Sequence, residues 1–264
     1  MGDNITKEQH FVPVMYLKRF TYDEKQEQCF TLNKKKEIHP QPINTICKKH
    51  YYYELRKVDG SIHKLNFLEK EFFGPLETLA EPLLRRVCAL IDEQATNSII
   101  NDFPSTDLID FLALMINRNP HTIKMAPYFA QKMGITIDCP NNKNAALLFS
   151  LSQIPGFSKS LLDRYNIILH SNKTSTPFVT AEYPFAVISA TANSQHGFFY
   201  FPLSSQHLLI LEPKLLVGNL PIRVIKSDES FVHTVNNYMS QNLQECGLII
   251  AANKYVLENL RDNK

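Results

Sequence analysis

The most regular pattern in the chain is the spacing of Leu65, Leu68, Phe72, Leu76, Leu79, Leu83, Val87 and Leu90, three or four positions apart. That spacing predicts one long amphipathic helix. Its polar side carries Glu69, Glu77, Glu81 and Arg85, the last two in the favourable i,i+4 order. Pro75 and Pro82 fall inside it and each removes a backbone donor, so a kink or a division is expected. Downstream, Ser105 or Thr106 can cap a helix running through Leu108, Leu112 and Met115, which must stop before Pro120. Further helices are predicted around 122–133, 143–152 and 157–164. Beyond residue 165 the pattern shortens to apolar runs separated by Asn, Ser, Thr and Pro: Ile167 to Leu169, Phe178 to Thr180, Phe185 to Ile188, Phe198 to Phe201 and Leu208 to Leu211. These predict strands. A helix from Ser230 or Phe231 to Cys246, a strand over Leu248 to Ala252 and a short helix from Lys254 to Leu260 close the chain.

The N-terminal third is mixed. Val14, Leu17 and Lys18 follow Pro13 at helical spacing, Pro being favoured at a first helical position. Cys29 to Leu32 reads as a strand, Lys34 to Lys36 as an exposed turn, Pro40 and Pro42 as loop, and Tyr51 to Tyr53 as an aromatic strand. The order predicts an α+β fold: a single compact domain over 1–264, with a small basic β-containing lobe (1–64), a helical region with one long kinked helix (65–165) and a β-rich region with closing helices (166–264).

Charge sharpens this picture only locally. The 28 Lys+Arg against 26 Asp+Glu leave a net +2, yet residues 1–66 hold 12 basic against 8 acidic side chains. For 264 residues, roughly 73% of the unfolded chain's surface can be buried, so a core needs no staples. The five cysteines contain no C-x-x-C, which points to reduced thiols in a cytoplasmic protein. No apolar run approaches the ~18 residues of a membrane span, so no membrane is expected as a partner. Gly2 and Thr6 do fit a short myristoylation pattern. None of the eight glycines precedes a lysine, which excludes a P-loop, and no G-x-G-x-x-G can be written.

The opening His10-Phe11-Val12-Pro13, followed by Tyr16-Leu17-Lys18-Arg19-Phe20, resembles the H-Y-V-P-x-x-Y-L-+-x-F start of the bacterial domain-of-unknown-function family four-two-three-eight. Ile46-Cys47-Lys48 with Tyr53, Leu68-Glu69-Lys70 and Leu76-Glu77, and Arg118-Asn119-Pro120 are similar to later family segments. Phe178 to Pro184 sits where the family tends to read T-S-D-N-P. Two departures stand out: Phe11 replaces the usual Tyr, and Ala181, Glu182 and Tyr183 replace Ser, Asp and Asn. The family has no established reaction, so the resemblance marks positions and supplies no mechanism.

His10, Arg19, Glu69, Arg118 and Glu182 are the candidate catalytic residues, and Tyr16, Lys18 and Thr180 the candidate substrate ligands. A His that titrates near neutrality beside Arg or Lys suits phosphodiester cleavage without a metal; the same His10 can equally cap a helix. Glu69 and Glu77 are eight residues apart, about 12 Å on a straight helix, too far to share one metal. Either Glu69 is a solvated charge or it turns inward to pair with Arg19 or Arg118. Arg118 near a helix C-terminus can simply complement the dipole. Glu212-Pro213-Lys214 imitates a nuclease E-x-K, but the proline spoils a central strand. The nine His contain no H-E-x-x-H and no H-x-H, so neither a metal site nor a cofactor is expected. Two readings result. One is an enzyme acting on a nucleic-acid or phosphorylated substrate, a hydrolase or nuclease of the toxin-like or phage-defence kind. The other is a non-catalytic module binding RNA or protein through Lys34 to Lys36, Lys48, Lys49 and Tyr51 to Tyr53. The sequence leaves the oligomeric state open.

Overall fold

The computed structural model describes residues 7–23, 25–57, 59–137, 142–189, 197–243 and 247–262. Gly2, Thr6 and Cys246, singled out above, lie outside them.

Helix α2 (Gly74–Glu93) carries the long apolar stripe, entered through a π-helical turn over Glu69–Phe73. The turn is how the chain accommodates Pro75. Gly74 N–H reaches back five residues to the Glu69 carbonyl, widening the backbone just before the proline ring that would otherwise crowd it. The buried stripe consists of Ala80, Leu84, Val87, Cys88 and Ile91, so the repeat is real but rotated from the predicted one; Leu79 is 69% exposed. Helix α3 (Ser105–Asn117) is apolar nearly all round and buries every residue from Phe111 to Asn117. A helix of that composition belongs at the centre of a fold. Its N-cap position is Pro104, and Ser105 Oγ bonds the Phe103 carbonyl, so the expected Ser or Thr cap is not formed. Helices α4 (Pro120–Lys132), α5 (Asn142–Ser152) and α6 (Ile154–Arg164) follow and complete the helical layer.

Two larger sheets flank the helices. Strands β5 (Tyr165–Asn172), β7 (Ala186–Ser189), β8 (Gly197–Pro202), β9 (His207–Pro213) and β10 (Arg223–Ser227) form one, in the order β10-β5-β9-β8-β7 and parallel only at β10-β5. The other has the order β3-β2-β11-β6. It joins β2 (Gln28–Asn33) and β3 (Ile38–Pro42) from the N-terminal part to β6 (Thr180–Ala181) and β11 (Leu248–Ala251). The hairpin of the basic region is thus stitched to the chain's last strand, and the whole is one compact α+β unit.

A short pair, β1 (Glu8–His10) with β4 (Lys48–His50), holds the start of the chain. After it come α1 (Val14–Leu17) and a 3-10 turn over Lys18–Phe20. Helices α7 (Lys214–Val217), α8 (Glu229–Gln241) and α9 (Lys254–Asp262) follow later in the chain. Two local expectations are corrected. Tyr51 to Tyr53 form a turn, with Tyr51 at φ 46°, because β4 ends at His50 and the chain must reverse there. Pro40 and Pro42 lie in a strand, which β3 permits as an edge strand with one side unpaired.

Candidate functional site

Arg118 organises the polar interior. Helix α3 ends because Asn119 adopts an extended conformation before Pro120, as a residue preceding proline prefers. Arg118 then turns inward, with its side chain 1% exposed. Its Nη1 donates to Glu77 Oε1 at 2.6 Å and its Nη2 to the His10 carbonyl. The guanidinium carbon lies 4.2 Å from the centre of the Phe73 ring and 5.4 Å from that of Tyr53. The Tyr53 hydroxyl donates to the Arg118 carbonyl at 2.8 Å. Burial pulls the arginine's pKa down, but Tyr53, Glu77 and Glu69 outweigh it and the guanidinium stays charged.

The π turn brings Glu69 into this neighbourhood. Burial pushes its carboxyl up to about 7 against the pull of Arg118, and the negative charges of Glu77 and Glu54 add to the rise. Among the described residues Glu69 Oε1 has no hydrogen-bond partner. Glu54 is 2% exposed and takes hydrogen bonds from Gln9 Nε2 and from Asn66 N–H, tying β1 to the segment before α2.

Asn119 extends the cluster to the remote loop after β6. Its Oδ1 caps α4 by accepting from His121 N–H, while its Nδ2 donates to the Glu182 carbonyl at 2.7 Å. Burial raises the Glu182 carboxyl to about 7, opposed by Lys49 and Lys34. A Cβ on Gly247, whose φ of 111° already disfavours other residues, would lie 2.8 Å from Glu182 Oε2. The carboxylate therefore rests against bare backbone. On the other side, burial and then Lys48 hold His10 below the ordinary imidazole pKa, leaving it neutral at pH 7, and its Nε2 is buried without a hydrogen-bond partner among the described residues. Lys49 stands 5.0 Å from the Tyr52 ring centre and 5.7 Å from that of Phe11, with Lys143 4.7 Å from the same Tyr52 ring.

Of the five candidates, Arg118 holds the backbone carbonyl of His10, its neighbour Asn119 holds that of Glu182, and Glu69 acts on Arg118 through charge. Arg19 lies apart from them. Its Nη1 donates to Cys88 Sγ at 3.3 Å, eleven residues beyond Glu77 on α2 and so about 16 Å further along the axis. There it lines a shallow cavity with Lys18, Thr21, Cys88, Ser204 and His207. Tyr16 and Thr180 are wholly buried: the Tyr16 hydroxyl donates to the Pro202 carbonyl at 2.6 Å and lies 2.9 Å from Thr180 Oγ1. Lys18 is exposed. Among the described residues, no group of three or more His, Cys, Asp and Glu could hold a metal ion, and no helix is long and apolar enough to cross a membrane.

Sequence reasoning passed over Glu54 and Lys143, placed Lys49 only in the basic face of a binding module, and read Asn119 only as part of a motif. Asn before Pro was a legible N-cap signal; Glu54 lies in an irregular stretch that offers none. A family model described as Protein of unknown function (DUF4238) matches residues 8–254, and the chain belongs to that family. No curated protein and no solved structure matches it.

Proposed function

Proceeding from membership in that family, we propose that the chain is an enzyme cleaving a nucleic-acid or other phosphorylated substrate over the His10 and Glu182 face, with its own cations rather than a bound metal carrying the anionic charge. The observation behind this reading is the pair of contacts made by adjacent residues: Arg118 holds the His10 carbonyl and Asn119 holds the Glu182 carbonyl. A neutral His10 is the base that takes the proton from the attacking hydroxyl, which requires substrate to reach its buried Nε2. A carboxyl near pH 7, as at Glu182, can supply a proton to the leaving oxygen. Lys34 and Lys49 sit close enough to Glu182 to shift its titration and would hold the phosphate. Arg118 and Tyr16 act here as supports, since burial removes both from substrate. The test is induction of wild type and of His10→Ala in growing cells, with total RNA and nucleotide pools examined. Growth arrest with altered RNA or nucleotides in wild type alone supports the reading; equal toxicity, or none in either, sinks it.

A binding module for RNA is the second reading, favoured by the two lysines that share the Tyr52 ring. Tyr53 is 1% exposed, so only Tyr51 and Tyr52 of the triplet are available for stacking. This reading expects single-stranded RNA to bind with a strong salt dependence and to be recovered intact.

A further inference from the structure

The cavity lined by Arg19 holds a constellation that the function proposed above does not use. Ser204 and His207 end the turn joining β8 to β9, and the turn is pinned from several sides: Phe178 N–H donates to the Ser205 carbonyl, Asn172 N–H to the Gln206 carbonyl, and Ser205 N–H to the Arg19 carbonyl. Ser204 Oγ lies 2.8 Å from His207 Nδ1. Across the ring, His207 Nε2 is 3.2 Å from Asp92 Oδ1, on the last turn of α2. That contact is within ion-pair reach but off the line of a hydrogen bond, as relays in enzymes without substrate commonly are. The tautomer serving both contacts keeps its hydrogen on Nε2 and leaves Nδ1 to accept from Ser204. Lys173 Nζ holds the same Asp92 oxygen and fixes the carboxylate. The His207 side chain is 5% exposed, and burial keeps its pKa below the ordinary value despite the opposing pull of Asp92.

A serine that only stabilises its turn needs backbone donors, and Ser204 Oγ has them in Gln206 N–H and His207 N–H, each at 3.1 Å. Those bonds do not account for a carboxylate brought from a distant helix to the back of the ring. Nucleophile, base and orienting carboxylate in contact are the three parts of a serine relay, and the same two N–H groups favour the charge that develops on Oγ as its proton leaves. Beside it, Arg19 has Cys88 Sγ and no carboxylate as its side-chain partner among the described residues, leaving guanidinium donors for an anion. We propose that Ser204, His207 and Asp92 form a nucleophilic relay for hydrolysis of carboxylic esters that bear an anionic group, with Arg19 and Lys18 receiving that group.

Ser204 Oγ adds to the ester carbonyl carbon as its proton passes to His207 Nδ1. The bond to the leaving alcohol breaks, and the alkoxide takes that proton. Water then adds to the acyl-serine carbon, giving a proton to Nδ1; the bond to Oγ breaks and Ser204 recovers the proton. One ester and one water become one acid and one alcohol.

The test is a fluorophosphonate probe applied to the purified full chain, followed by intact mass and peptide mapping. The expected result is one adduct, on Ser204, absent from Ser204→Ala and formed at least tenfold more slowly in Asp92→Asn, whose partly exposed side chain can change without threatening the fold. Absence of a Ser204 adduct in protein with a cooperative melt overturns the proposal, as does equal labelling of Asp92→Asn. The mono-p-nitrophenyl ester of succinate should be cleaved at least tenfold faster than p-nitrophenyl acetate, and Arg19→Gln should erase that preference. Equal rates in wild type overturn the assignment of an anionic substrate.

Discussion

The two ends of α2 each receive an arginine from elsewhere in the chain and give it different surroundings. At the N-terminal end Arg118 is sealed from water, matched by Glu77 and flanked by Phe73 and Tyr53. At the C-terminal end Arg19 is half-buried and, among the described residues, its side chain donates to a thiol, while the nearby carboxylate, Asp92, is committed to Lys173 and His207. A cation taken wholly out of water must be matched at once, or the fold bears its full desolvation cost. One that keeps part of its hydration can wait for a partner. The first therefore serves as framework and the second as a receptor for ligand charge.

The sharpest way to break this contrast is to remove each arginine in turn. Arg118→Met strands Glu77 and the His10 carbonyl, and should lower stability by about 3–5 kcal/mol in urea unfolding. Arg19→Met should lower it by less than about 1 kcal/mol. Comparable losses would erase the distinction. Next in size is Glu69→Gln. With its folded pKa raised to about 7, the Glu69 carboxyl favours folding fully below its unfolded value near 4.5, and that contribution is lost as pH rises through 7. The variant carries no such term, so relative to wild type it should gain about 1–3 kcal/mol between pH 5 and pH 8. A pH-independent difference would place Glu69 in solvent. Tyr16→Phe tests the link between the ends, since α1 starts beyond His10 and runs into the turn holding Arg19. Losing the bonds to Pro202 and Thr180 should lower stability by about 1–2 kcal/mol. Smallest is Asp92→Asn. The Asp92 carboxyl titrates below its ordinary value: burial raises its pKa, but Lys173 and His207 lower it further. Its contribution is present above about pH 4 and fades below. At 41% exposure, water screening should hold the change at pH 7 to no more than about 0.5 kcal/mol.

Much of the fold was legible because helices write their burial into spacing. Helices α2 to α6 and strands β5, β8 and β9 fall close to where apolar periodicity put them. The sequence was silent where pairing decides. Strand β10 carries Arg223 and Lys226, and it is a strand because its backbone runs beside β5; Pro40 and Pro42 read as loop because nothing local says that β3 is an edge. The site divides similarly. The motifs drew attention to His10, Glu69, Arg118 and Glu182; Arg118 and Asn119 hold the backbone carbonyls of His10 and Glu182. Arg19 was grouped with them because it is close to His10 in sequence, but α1 and its 3-10 turn carry it to the other end of α2. Nothing local announced Asp92 behind His207, since 115 residues separate them and only tertiary packing closes the gap.

The widened turn at Glu69–Phe73 makes the angular register of the two ends separately adjustable. Deleting one residue within it would restore ordinary helical winding and swing Leu68 and Glu69 by about 100° relative to the rest of the helix, carrying the Glu69 carboxyl off the Arg118 side. The stretch from Ala80 to Asp92 would keep its heading. A single-codon deletion there is thus a scalpel for this protein, able to disarm one end while the other keeps its geometry.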